Sequence, residues 1–120
     1  KPVALEFKPD IVMLSAGFDI YCKDPLGGMQ VTPQGFGRLA RVLMDIADTC
    51  CGGRFVITLE GGYHIEGLTQ SIQVVLNEMV GATHIPAAEM QSVESKANPM
   101  IDSIINAVIG QIKPFWKVFQ

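Results

Sequence analysis

Two short apolar runs, each leading into a glycine-bearing loop and then a helical period, set the frame of this chain. Ile11-Val12-Met13-Leu14 follows the turn signal Pro9-Asp10 and ends at Ser15-Ala16-Gly17, while Phe55-Val56-Ile57-Thr58-Leu59 leads into Glu60-Gly61-Gly62-Tyr63-His64. Apolar runs without polar alternation predict strands covered on both faces, the habit of parallel sheets, here over about 11–16 and 55–60. Between them Phe36, Leu39, Ala40, Leu43 and Ala47 recur at spacings of three and four and predict an amphipathic helix over about 33–51. Thr32 is placed to cap it, Pro33 suits its first position and Gly52-Gly53 stops it. Strand, helix and strand in that order predict a right-handed βαβ unit, whose two following loops share one edge of the sheet.

Ile65, Leu68, Ile72, Val75, Leu76 and Met79 predict a second helix over about 65–80. Ile101, Ile104, Ile105, Val108 and Ile112 predict a third over about 99–113, opened by Asn98-Pro99 and closed at Pro114. Gly110 inside it costs about 1 kcal/mol relative to alanine. Residues 82–98 lose the apolar period and are expected to form a polar connection. Val3-Ala4-Leu5-Glu6-Phe7-Lys8 reads as the tail of a helix whose beginning is missing, so the chain is expected to start in mid-element.

Composition narrows the class without choosing a function. The 120 residues, 48% hydrophobic and 18% charged, suit one core and one α/β domain. A formal charge of −3, with nine scattered Lys and Arg residues, offers no basic face and argues against nucleic acid. No apolar run approaches the roughly 18 residues of a membrane span, and Lys1-Pro2 opens no signal-peptide pattern, so a cytoplasmic location away from membranes is expected. Cys22, Cys50 and Cys51 are odd in number and lack C-x-x-C spacing, which argues against a disulfide framework and a structural zinc site.

Two loops carry candidate chemistry. Asp19 follows the first strand closely, where a carboxylate can ligate a metal; cap, turn former and ion-pair partner are its other readings. Gly61-Gly62 permits close backbone approach, and Tyr63 projects a phenol from the end of the second strand. That phenol could donate to a developing oxyanion, or bury its ring and satisfy its hydroxyl on a backbone carbonyl.

The order of the motifs is more specific than any one of them. Ser15-Ala16-Gly17-Phe18-Asp19, then Asp24-Pro25-Leu26-Gly27-Gly28, a Thr-capped helix, and Leu59-Glu60-Gly61-Gly62-Tyr63 resemble the C-terminal segment of histone deacetylases, over residues 9–81. The relatives in view are class II histone deacetylases and the bacterial acetoin-utilisation proteins and acetylpolyamine amidohydrolases, so a bacterial source is expected. The resemblance implies the arginase/deacetylase α/β fold and a Zn2+ site, with another divalent ion as its rival. It implies Asp19 as one of three zinc ligands, Tyr63 as the residue polarising the amide carbonyl, and Leu26 as part of the acyl channel beside Gly61 and Gly62. The implied reaction is hydrolysis of acetyl-lysine or acetylpolyamine amides, with a histidine taking the proton of the attacking water and acetate and an amine released.

The family's Asp-x-His element, which brings the other two ligands, and its His-His pair are absent from these residues. His64 and His84 are the only histidines, and His64 stands where relatives often carry Asn, so neither is expected to be the general base. The reading is therefore the C-terminal portion, residues 1–120, of a single deacetylase domain whose N-terminal portion is absent, inactive when isolated and holding its metal weakly if at all. Its expected partners are the acetylated substrate, the missing portion and other copies of itself. A degenerate deacetylase-like binding module is the alternative; the two-manganese arginase branch ranks below it, since its Asp-rich patterns are not seen.

Overall fold

A computed structural model describes all residues, Lys1–Gln120. Helix α1 (Pro2–Phe7) leads through a left-handed Lys8 into β1 (Val12–Ala16). Helix α2 (Pro33–Cys51) connects β1 to β2 (Phe55–Leu59), and the two strands pair in parallel, Val12 opposite Phe55 through Ala16 opposite Leu59. The βαβ order read from the apolar runs is thus present, with each strand one residue shorter than expected.

Local chemistry explains the helix ends. The Gly35 amide donates to Thr32 Oγ1 at 3.2 Å, and α2 stops at Gly52 in the left-handed conformation, with φ 61°. Helix α3 (Ile65–Met79) is capped by a histidine, whose Nδ1 accepts from the Gly67 amide at 3.0 Å. The α2 and α3 helices cross closely because Gly37 has no side chain: a Cβ there would lie 2.7 Å from Val74 Cγ1. The core gathers Ala16, Phe18, Tyr21, Phe36, Ala40 and Val75 against this crossing, with the Phe18 and Phe36 rings 4.9 Å apart.

Three expectations are corrected. The strands are not covered on both faces: Ala16 alone among their residues is buried, and Met13 is 71% exposed. A two-stranded sheet has no neighbouring strand on either outer edge, so apolar side chains suited to a wide sheet remain open. Leu39, placed by period on the inner face of α2, is likewise exposed. Residues 82–98 are not a plain connection, because Ala87–Glu94 form α4. Its weak apolar period hid it; Arg38 on α2 holds it through Glu89, with Nη2 2.9 Å from Oε1.

Helix α5 (Met100–Ile112) follows, its start marked by the Met100 amide donating to Asn98 Oδ1 at 2.9 Å. Beyond it Lys113–Phe115 and Lys117–Phe119 are single 3₁₀ turns; Glu6 of α1 accepts from the Lys117 and Val118 amides and ties the C-terminus back. No helix is long and apolar enough to cross a membrane.

Candidate active site at the strand ends

Parallel pairing puts the loops after β1 and β2 side by side, and backbone hydrogen bonds stitch them together. The Glu60 amide donates to the Ala16 carbonyl at 3.1 Å, and the Phe18 amide to the Gly61 carbonyl at 2.8 Å. Asp19 and the Gly61-Gly62-Tyr63 segment therefore meet at one rim, as the sequence order predicted.

Glycines shape the space around the Asp19 carboxylate. A Cβ on Gly61 would stand 2.8 Å from Asp19 Oδ2, and one on Gly17 would stand 2.9 Å from Oδ1. Any other residue at either position would push into the carboxylate. Gly62 has φ 137°, a conformation open to glycine, and its missing side chain admits Phe18 Cβ and Leu68 Cδ1 at 3.0 and 2.9 Å. Gly27 lies so close to the Asp19 carbonyl oxygen that a Cβ there would overlap it, which brings the 24–28 turn onto the same rim.

The residue that joins these parts is one to which the sequence alone attached no role. Asp24 is 8% exposed and accepts four backbone hydrogen bonds. Its Oδ1 takes the Leu26 and Gly27 amides at 2.9 and 3.1 Å; its Oδ2 takes the Tyr63 and His64 amides at 2.8 and 3.2 Å. Burial raises the pKa of this carboxyl, but the N–H donors of Tyr63, Leu26, Gly27 and His64 oppose it and together hold the group below its ordinary 3.8. The Asp-Pro-Leu-Gly-Gly signature announces the local turn; nothing in sequence announces bonds to a loop 39 residues away.

Tyr63 is 56% exposed, so residues 1–120 do not bury its ring. Leu26 is exposed on the turn that Asp24 organises. His64 caps α3 through Nδ1 and lies with its ring 5.3 Å from that of Tyr21, while His84 is exposed in the turn after α3. An apolar cleft of about 320 Å³ between β1 and α2 is lined by residues such as Leu14, Phe36 and Leu43 and includes neither Asp19 nor Tyr63.

A catalytic zinc takes three protein ligands and keeps one position open. Asp19 suits one of them, since its carboxylate sits in a cradle that a Cβ from either side would fill. No group of three His, Cys, Asp or Glu side chains in this chain could hold a metal ion, so residues 1–120 do not complete the set.

Residues 1–79 match the family model described as the histone deacetylase domain. The chain is 38% identical over 119 residues to human "Polyamine deacetylase HDAC10", covering 99% of this chain and 17% of that protein. To "Histone deacetylase 10, chloroplastic" of Oryza sativa subsp. japonica it is 42% identical over 86 residues, 72% of this chain and 19% of the relative. A crystal structure of the HDA15 HD domain superposes with a TM-score of 0.70 at 34% identity, covering 98% of this chain and 29% of that one. The chain belongs to the histone deacetylase family, and its fold is part of the arginase/deacetylase α/β fold. It spans about a fifth of the length of these curated relatives. They come from an animal and a plant, which lends the expected bacterial source no support.

Proposed function

We propose that this chain supplies the C-terminal part of the active site of a zinc-dependent deacetylase, which hydrolyses acetyl-lysine or acetylpolyamine amides to acetate and a free amine. The convergence of the glycine-cradled Asp19 carboxylate with the Gly61-Gly62-Tyr63 loop at one rim carries the reading. Asp19 contributes one metal ligand. Zinc bound there would supply Lewis-acid polarisation of the acyl carbonyl and a water of lowered pKa. Tyr63 donates its phenolic hydrogen to the carbonyl oxygen as negative charge grows on it, and its exposed ring leaves the hydroxyl accessible to substrate. Leu26, with the bare backbone of Gly61 and Gly62, flanks the acyl chain.

The proton acceptor lies outside these residues. His64 Nδ1 already accepts the Gly67 amide, and His84 stands on an exposed turn after α3. The relatives' names include both a polyamine and histone deacetylases, which supports the amide class without choosing the amine. On this reading the isolated chain does not hydrolyse acetyl-lysine.

The test uses the full-length protein that carries these residues. Asp19→Ala is expected to lose bound zinc and activity together. Tyr63→Phe is expected to keep its zinc and lose kcat by a factor on the order of 10² to 10³, the usual cost of one oxyanion donor. Equal activity in the unaltered protein and both variants removes the assignments.

A further inference from the structure

We propose that Asp24 is a positioning residue, a carboxylate clamp that fixes the Tyr63 backbone relative to the acyl-channel turn. The inference rests on the reading of Tyr63 as the oxyanion donor. An ionised carboxylate has about four acceptor positions, and here four backbone amides fill them, two from the turn of Leu26 and Gly27 and two from Tyr63 and His64. Because each oxygen serves a different loop, displacement of one loop is felt by the other.

The clamp matters because Tyr63 has little else to hold it. Its ring is more than half exposed, and the preceding Gly62 adopts a backbone conformation with no side chain to restrain it. The loop is held by its backbone bonds at Glu60 and Gly61 to Ala16 and Phe18, by the Asp24 carboxylate, and by the cap that His64 places on α3. Only the carboxylate acts on the amide of Tyr63 itself. A donor to a developing oxyanion must be placed within a few tenths of an ångström, so slack in this bond reaches the reaction directly.

Asparagine at position 24 keeps the size of the side chain but offers one oxygen and one NH2 group. The NH2 then faces two N–H donors, and one half of the clamp opens. In the full-length zinc-loaded protein, assayed on whichever of an acetyl-lysine peptide or an acetylpolyamine it hydrolyses faster, Asp24→Asn is expected to lower kcat about tenfold with zinc content retained. A residue acting through Tyr63 has nothing to act on once the phenol is gone, so the same substitution in the Tyr63→Phe background should cost little further.

Equal losses in both backgrounds, or unchanged kcat in Asp24→Asn, overturn the proposal while Tyr63 keeps its role. Full activity of Tyr63→Phe alone removes both readings. If Asp24→Asn does not fold, Asp24→Glu takes its place in the same cycle. It retains charge and acceptors but lengthens the arm, and a loss of roughly threefold confined to the protein with Tyr63 intact is expected; equal losses again overturn the clamp.

Discussion

Asp24 shows what a residue can contribute without touching substrate, and its bonds also set an acid limit. The group's pKa is lowered in the fold, so its stabilisation is present above the unfolded value, near 3.8, and lost as pH falls through the lower folded value. Asp24→Asn cannot titrate. Thermal melts of the two proteins from neutral pH downward should therefore show a gap that holds until about pH 4 and narrows below it, as the aspartate takes up its proton; a gap independent of pH counts against the carboxylate's role. The sequence displayed half of this residue. Asp-Pro-Leu-Gly-Gly is legible as a turn, because Asx bonds reach two and three residues along the chain, whereas the bonds to Tyr63 and His64 exist only once β2 lies beside β1. That the loops bearing Asp19 and Tyr63 adjoin was legible through the βαβ order, and the backbone bonds from Glu60 to Ala16 and from Phe18 to Gly61 give the physical reason.

At the scale of elements, α2 was readable because its boundaries carry chemistry of their own, a Thr cap, a proline and a glycine stop, and α3 was readable from its apolar period. The device that locks them together was not. Glu78 of α3 is buried beside Arg41 of α2, with Arg41 Nε 3.1 Å from Oε1, and it also accepts from the Ile85 amide and the Thr83 hydroxyl. A glutamate at an inward helical position looks in sequence like an interruption of the apolar face; in the fold it anchors the exit from α3. Arg41→Met leaves a buried carboxylate without its counter-charge and is expected to destabilise by roughly 3 kcal/mol, read as a lower denaturation midpoint. A loss below about 1 kcal/mol, typical of an exposed pair, would show that solvent reaches Glu78 and that its pairing with Arg41 is weak. Helix α4 escaped the period because it carries no apolar stripe, and its ion pair to Arg38 of α2 is not legible in sequence.

For the whole molecule, the mismatch between apolar strands and their exposure decides how the chain behaves alone. Only 14 of its 120 residues are buried, both outer sheet edges are unpaired, and α5 buries none of its isoleucines. Open edges template pairing with other strands, and exposed apolar faces add the driving force for association. In the solved relative the matching region is 29% of a longer chain, and we propose that these surfaces pack against the rest of such a domain. The isolated chain is therefore expected to self-associate, giving scattering masses above one chain at moderate concentration; a clean monomer contradicts it. On that proposal, the N-terminal portion of the deacetylase domain, added in trans, should compete for the same edges and bring the scattering down. Salt should leave the association in place, since a net charge of −3 disfavours it and the faces that join are apolar.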